Sequence, residues 1–559
     1  MGIGTTRIED RITAITGEQD YARSEFGEHK GVLNGGVLLS IPVLLSQGLS
    51  KAFTTYRPLP RGFYGLVHIV LLSCFMALCR IKNAEQLKKH PPGELGKLLG
   101  LDRVPEVGSF RRKLKQVIDQ GKTDQFHSEL FESWMSEMPQ MIFYIDGHVR
   151  VYHGKKANLA KRYVSREKLC LHGTTEFWVN DQWGMPLMVI TGELNEKLKE
   201  AIVLAIVKLK EEIKPREDQQ GNTALFTMVF DRESYEPSWF KQLWTEHKVA
   251  IITYRKNVKD KWNDDWFIDK DIHAYNNPVT MRLCEMGIAI KHEWFREIRK
   301  LTPSGHQTSI LTTHPTLSMD HIAVKMFSRW TQENFFKYMI ENYDFDKMIE
   351  YGTQPSLYLK TIPNPVYRKI CYQLKKVHAK KARIEARVYN KIHAHPNNTI
   401  EELETKMSVA SDLIEQINDY DQEIRTLKQN REQIPCRITL DQMPENERYD
   451  KLKVEGKKFK NAVLMIAYRA ETSLYNIIKS FYKGFNNDGR ILIKKILTSD
   501  ADIAPDYDNR TLTITLHSLA TPRDNKAANR LCQLLTESQT IYPGTDLRLI
   551  YKTIAVQSA

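Results

Sequence analysis

Two short, almost wholly apolar runs that each stop at an aspartate constrain this chain more than any other feature. Met141-Ile142-Phe143-Tyr144-Ile145 leads into Asp146-Gly147-His148, and Ala224-Leu225-Phe226-Thr227-Met228-Val229-Phe230 leads into Asp231. A continuous apolar run without alternation marks a strand covered on both faces, which requires helices on either side of a sheet. In α/β sheets the carboxyl ends of such strands are where sites assemble. Val149 to Tyr152 reads as a returning strand, and Leu187–Thr191 and Val249–Tyr254 as further strands. Glu196–Ile213 and a segment from about Pro237 read as helices.

With 559 residues the chain exceeds what one hydrophobic core holds, so three or four domains are expected. Residues 1–140 read as a helical region, 141–345 as an α/β core, 366–434 as a helical hairpin and 445–559 as a helical region with a small α/β tail. Within the core, about 255–315 is a stretch of short alternating segments. The tail strands lie near Leu512–Leu516 and Leu547–Tyr551. Phe63 to Cys79 is almost entirely apolar, yet it contains His68 and falls short of the roughly 18–20 residues of a membrane helix. It reads as a buried core helix packed on the apolar run Gly36–Leu49. Glu9, Asp10, Arg11, Glu18 and Asp20 are foreign to a secretory or transit peptide. Seven scattered cysteines without a C-x-x-C pair argue against a disulfide scaffold or a cysteine zinc site and fit a reducing cytoplasm.

A surplus of 81 Lys/Arg over 68 Asp/Glu gives +13, which points to a polyanionic partner, nucleic acid ahead of a membrane surface. Two segments concentrate that charge. Glu94–Val117 combines a short apolar helix, a turn with Gly100 and Pro105, and a basic helix capped by Ser109, the pattern of a helix-turn-helix. Its second helix sets Arg111, Arg112, Lys113 and Lys115 where phosphates can be reached; a solvated basic helix on a bundle is the competing reading. Residues 366–395 carry nine Lys/Arg against Glu385. His395-Pro396-Asn397-Asn398 breaks that helix, and Thr399-x-x-Glu402 is a capping box for the next. Ile400, Leu403, Met407, Ala410, Ile414, Ile417 and Ile424 then repeat at 3/4 spacing, with Asp421 the single fault. An antiparallel coiled-coil hairpin follows, its charge serving either helix pairing or a basic arm along DNA.

Several chemistries drop out. There is no G-x-x-x-x-G-K-[ST] run and no G-x-S-x-G elbow. His292-Glu293-Trp294-Phe295-Arg296 begins like a zincin helix but has Arg where the second His must stand. A carboxylate constellation remains. A helix over about 322–340 has Ile322, Met326, Trp330, Phe336 and Ile340 as its apolar face, and Glu333 falls on that face. An ionised carboxylate pointing toward a core is costly unless paired or bound to metal. Arg329, one turn earlier, is one partner; a divalent cation shared with Asp146 and Asp231 is the other.

Tyr144-Ile145-Asp146-Gly147-His148, Val229-Phe230-Asp231-Arg232 and Arg329-Trp330-Thr331-Gln332-Glu333-Asn334-Phe335-Phe336-Lys337-Tyr338-Met339 together resemble a DDE-class insertion-sequence transposase. The likeness is to the group with a β-strand-rich insertion between the second and third acidic residues. It covers about 141–345, with Met465-Ile466-Ala467-Tyr468-Arg469-Ala470-Glu471-Thr472 as a looser extension. Eighty-five residues separate Asp146 from Asp231, and 102 separate Asp231 from Glu333, room for an inserted subdomain. Met326 and Ile340 stand where that group has Tyr and Lys, and Arg232-Glu233-Ser234 follows Asp231 in place of Arg-Gly-aromatic.

The resemblance implies an RNase H-like mixed-sheet fold, two Mg²⁺ ions (Mn²⁺ as an alternative), and excision and joining of DNA ends. Phosphodiester displacement builds charge on attacking and leaving oxygens, which two hard cations about 3.5–4 Å apart stabilise together. Mg²⁺ takes oxygen ligands, so three carboxylates suffice. Asp146 would bridge the ions while Asp231 and Glu333 each hold one. Arg329 would orient Glu333 or touch a phosphate, and Lys337 is a further phosphate candidate. His148 and Arg150 face substrate in one reading and serve strand pairing in another. Trp330 packs the helix onto the sheet or stacks on an unpaired base. The implied partners are duplex DNA, at transposon ends and target, and a second copy assembled on DNA, in a bacterial or archaeal cytosol at the nucleoid, with no membrane. A domesticated DNA-binding protein and an RNase H-like nuclease are the alternatives.

Overall fold

The computed structural model describes residues 5–554 apart from 137–140, 155–156, 158, 160, 165–166, 194–196, 214–222, 275–276, 346–352, 356–360, 394–399, 444–447, 449 and 483–485. The protein is mixed α/β and divides into two compact units. The first comprises Met1–His153, Ala160–Tyr351 and Lys453–Ala559; the second comprises Gly154–Leu159 and Gly352–Leu452.

The first unit opens with helices. The apolar run becomes helix α1 (Leu66–Leu78), buried almost throughout. It shares one hydrophobic core with the Gly36–Leu49 run. That run is broken into a 3₁₀ turn, Gly35–Ser40, and a short helix, Ile41–Ser46 with Pro42 in its first turn. Both α1 and Ile41–Ser46 pack on a long helix from the far end of the chain. The 3₁₀ turn packs on a further helix, Asn486–Thr498, so closely that a Cβ on Gly36 would lie 1.9 Å from the Ile496 carbonyl oxygen. Among the described residues no single helix is long and apolar enough to cross a membrane. The basic segment forms a six-residue helix, Pro92–Lys97, and then α2 (Val107–Ile118). Extended Glu106 is the residue before α2, so Ser109 lies inside the helix and is not its cap.

A ten-stranded sheet follows, built from β1 (Ile142–Val151), β2 (Leu169–Asn180), β3 (Pro186–Glu193), β4 (Phe226–Phe230), β5 (Val249–Tyr254), β6 (Ile268–Ala274), β7 (Asn277–Ile290), β8 (Glu293–Leu301) and β9 (Gln307–Thr312), with Lys161–Val164 on the outer end of β2. β3, β2 and β1 run antiparallel; β1, β4 and β5 run parallel. The parallel strands are the apolar ones, and Leu198–Glu212 and Pro237–His247 are the helices that follow β3 and β4. The inserted strands do not form a detached subdomain. β9 pairs antiparallel with β5, opposite Ile252 to Tyr254, and β8, β7 and β6 continue the same sheet as a meander. His292, expected on no metal helix, sits at the β7–β8 turn with positive φ.

The expected single helix after the sheet is two, α3 (Met319–Phe327) and α4 (Trp330–Tyr343). At the junction Arg329 N–H donates to Met326, Thr331 to Ser328 and Gln332 to Arg329, all three residues back. This 3₁₀-type tightening changes which face points inward. Glu333 and Trp330 therefore leave the apolar face that a continuous helix assigns them. The unit is completed by α5 (Glu455–Lys479), against which α1 packs, and a small sheet of β10 (Ala501–Asp506), β11 (Thr511–Leu516) and β12 (Arg548–Thr553), with a helix, Pro522–Glu537, crossing between the parallel pair β11 and β12. The N-terminal strand His29–Val32 is its fourth strand, so this tail is not built from C-terminal residues alone.

The second unit is a hairpin of Pro365–His393 and Ile400–Glu432 with two short β-ribbons, Thr353–Pro355 with Asp450–Leu452 and Thr361–Pro363 with Arg437–Thr439. Leu374, Val377 and Ile424 are buried in its seam beside Ile370, Tyr420 and Leu427. Asp421, the fault in the apolar repeat, receives the Lys381 ammonium at 2.6 Å. The His395–Asn398 break and the Thr399 capping box lie outside the described residues.

Candidate active site

β1 does not end at Asp146. It runs on to Val151, antiparallel to β2, while its parallel pairing with β4 stops at Ile145 opposite Phe230. Asp146 therefore stands just past the end of the parallel pair, and Asp231 follows the last residue of β4. Asp146 Oδ1 accepts from the Gly147 N–H at 2.8 Å, and Asp231 Oδ1 from the Arg232 N–H at 2.7 Å, which fixes both carboxylates against their own backbones. Glu333 comes from the first turn of α4.

The three carboxylates meet at one guanidinium. Arg329 Nη1 lies 3.3 Å from Asp146 Oδ2, and Nη2 lies 3.1 Å from Glu333 Oε1 and 4.0 Å from Asp231 Oδ2. Their environments are graded: the Asp146 side chain is 25% exposed and that of Glu333 62%. Burial pushes the Asp146 carboxyl up to about 6; Arg329 and the Gly147 N–H oppose the rise, and Asp231 and Glu333 add to it. One positive charge thus serves three negative ones. Among the described residues no three His, Cys, Asp or Glu side chains lie close enough as placed to enclose an ion. The donor set is nevertheless all oxygen, on three separate elements, and short of positive charge. That is the chemistry a hard divalent cation requires.

Two residues that sequence reasoning missed hold this geometry. Gln332, fully buried on α4, donates to the Trp178 carbonyl at 2.8 Å, and its Nε2 lies 3.4 Å from Asn180 Oδ1. Tyr144, two residues before Asp146, donates through its hydroxyl to the Lys325 carbonyl at 2.9 Å. Together they tie α3 and α4, on either side of the break, to the strands that carry and flank Asp146. A polar residue beside the Glu on an inward face was the available signal for Gln332. Tyr254, ending β5, lies in the field of Arg329, Asp231 and Glu333; burial first, then the two carboxylates, raise its phenol.

The other singled-out residues divide. Lys337 is exposed on α4, and Trp330 is 50% exposed, so Trp330 is not the core anchor that an unbroken helix makes it. His148 and Arg150 do not face the carboxylates. His148 is buried and stacks on Phe336, with Phe345 at 4.8 Å. Arg150 is fully buried, its Nε 2.9 Å from Glu176. On α2, Arg112 and Lys115 are exposed, and Arg111 pairs with Glu85 at 2.9 Å. Lys113 is the exception: it turns inward, and its ammonium donates to the Pro60 carbonyl at 2.7 Å, so it is not presented to phosphates.

No curated protein matches the chain. A family model described as "Transposase protein" matches residues 2–555, nearly the whole length. With a match of that extent around a strand–strand–helix carboxylate site, the chain belongs to this transposase family.

Proposed function

We propose that the protein is a DDE transposase whose RNase H-like core uses Asp146, Asp231 and Glu333 to cleave DNA at element ends and join them to a target. The observation that carries this reading is the convergence of three carboxylates, from a central strand, its parallel neighbour and a following helix, on Arg329 within 4.0 Å. The order of three antiparallel and then two further parallel strands supports the fold assignment. Asp146, Asp231 and Glu333 would together hold two Mg²⁺ or Mn²⁺ ions. Bound there, the ions supply stabilisation of charge on the attacking and leaving oxygens of an in-line displacement.

The chain's own residues do the rest. Gln332 and Tyr144 keep the helix-borne Glu333 in register with strand-borne Asp146. Arg329 neutralises part of the cluster when the protein is alone and is free to meet a phosphate once its carboxylates are otherwise engaged. The exposed edge of α4, with Trp330, Asn334 and Lys337, faces the incoming duplex. Assembly as a homodimer on two ends belongs to the same reading.

The test is direct. Mg²⁺ titration should raise the melting temperature of the wild type, and an Asp146→Asn/Glu333→Gln variant should lose that rise together with cleavage of end-bearing DNA. An unchanged metal response in the variant, or cleavage by it, would reject this assignment.

A further inference from the structure

The hairpin's first helix, Pro365–His393, carries a charge pattern that helix pairing does not use. Its seam is made by Ile370, Leu374, Val377 and Ile384, with Lys381 reaching Asp421 and Glu385. At about 100° per residue, Lys369, Lys376, Lys380, Arg383 and Arg387 all fall within an arc of about 60° on one flank of that seam. All five are exposed, and among the described residues none of them meets a carboxylate. From Lys369 to Arg387 the row extends about 27 Å at about 1.5 Å per residue. The companion helix, Ile400–Glu432, holds nine acidic residues against four basic ones. Five of this helix's nine cations share the one flank, while Arg368 and Lys375 lie apart from it; with an acidic helix beside it, that flank offers a polyanion a continuous positive row.

We propose that this flank is a phosphate-backbone clamp for duplex DNA, built from none of the residues of the carboxylate site. Resting on the transposase reading, the inference adds a second DNA contact and its character. The row reads no bases: lysines and arginines on one arc match the regular run of phosphates, and they bind by displacing counterions. A protein partner fits less well, because a helix packing there would need an apolar seam and the arc offers only Tyr372, already under the Lys376 ammonium at 4.8 Å.

The experiment uses the full chain, with Lys376→Ala, Lys380→Ala, Arg383→Ala and Arg387→Ala combined, and a random-sequence 30-base-pair duplex (roughly 100 Å) as probe, in calcium so that no cleavage intervenes. Four lost phosphate contacts should lower the slope of log affinity against log salt by about 3.6, so a fourfold rise in salt weakens binding about 150-fold less than in the wild type. Lys/Arg exchange at the same four positions should keep the slope, and Arg425→Ala/Lys428→Ala on the companion helix should leave it unchanged. An unaltered slope in a folded quadruple variant overturns the clamp. So does a quadruple variant whose slope is normal but whose sedimentation in DNA-free solution changes, since the flank then meets a second copy. Failure of the catalytic reading looks different: Asp146→Asn should bind with the wild-type slope whether or not it cleaves, whereas the quadruple variant should still cleave at saturating protein.

Discussion

Four residues along one face of β1 separate two clusters of the same chemistry. At Asp146, three carboxylates share the single guanidinium of Arg329 and are open to solvent to differing degrees. At Arg150, a single carboxylate, Glu176 on β2, is shared by Arg150 at 2.9 Å, Lys457 at 2.5 Å and the Asn461 amide at 2.8 Å, all buried. The first has two more negative charges than positive; the second sets one carboxylate between two basic groups, of which burial pushes the Lys457 ammonium down to about 7. Burial would raise Glu176, but Arg150, then Lys457 and Asn461, hold it down to about 2, whereas Asp146 is pushed up to about 6. A sealed cluster in which one carboxylate is shared by several buried donors holds elements together, here β1 and β2 to α5. An open cluster with unmatched charge is poised to take a cation or a proton. Charged residue types alone do not separate the two roles; the balance of charge and exposure does.

The largest expected effect is on activity. Asp146→Asn, Asp231→Asn and Glu333→Gln should each abolish cleavage of end-bearing DNA in magnesium while leaving end binding intact, as gel shifts in calcium would register; calcium, with its looser ligand shell, should support binding without turnover. Cleavage near the wild-type rate by any one of them would remove that residue from the site. Glu176→Ala should act through stability, costing about 3–5 kcal/mol by leaving Arg150 buried without its carboxylate, and Arg150→Ala should cost less, because Lys457 and Asn461 still hold Glu176. Urea denaturation measures that cost, and the surviving folded fraction should cleave normally. A stable but inactive Arg150→Ala would break the division between the clusters.

The pH dependences of the two clusters should have opposite signs. Glu176 is depressed in the folded state relative to about 4.3 in the unfolded chain, so its stabilisation is present above that value and is lost as pH falls toward about 2. Asp146 is raised from about 3.9, so the folded state binds the extra proton between there and about 6, and stability declines as pH rises through that window. At pH 7 in metal-free buffer, Asp146→Asn should therefore melt higher than the wild type, and Glu176→Gln lower. Equal shifts in one direction would mean that both carboxylates are structural.

Much of this was legible before any coordinates, for physical reasons that can be named. The apolar runs before Asp146 and Asp231 announced central strands because only a strand covered on both faces tolerates such composition. Of the 3/4 repeat over 400–424, Ile424 lies in the seam of the helical pair, whereas Ile400 and Ile414 are exposed. What stayed hidden depended on contacts distant along the chain or on a break of one turn. α1 packs on α5 almost 400 residues away, and His29–Val32 joins a sheet made otherwise of residues beyond 500. Arg150 reads like a substrate contact until Lys457 and Asn461 arrive beside Glu176. Lys113 reads like its exposed neighbours until Pro60 is found under it. The 3₁₀ tightening at Ser328–Arg329 rotated Glu333 and Trp330 off the face that a continuous helix predicts.

That rotation makes two tryptophans beside the same carboxylates a last, smaller contrast. Trp178 pairs across the sheet from Asp146 and is fully buried, packed on Phe335 and Phe345. Trp330 follows Arg329 and is half exposed. Trp178→Ala should cost about 3–5 kcal/mol through the cavity it leaves, and every activity should fall with the folded fraction. Trp330→Ala should change stability by no more than about 1 kcal/mol, as a largely exposed position allows. Its loss should be felt instead where a ring beside the cleavage point can stack on an unpaired base, an interaction contributing roughly 1–3 kcal/mol per base. First-strand nicking should then persist while the later strand-processing step slows, and Trp330→Phe should restore part of that step. A Trp330→Ala protein that melts as low as Trp178→Ala, with nicking and later steps reduced alike, would return this ring to a packing role and end the stacking reading.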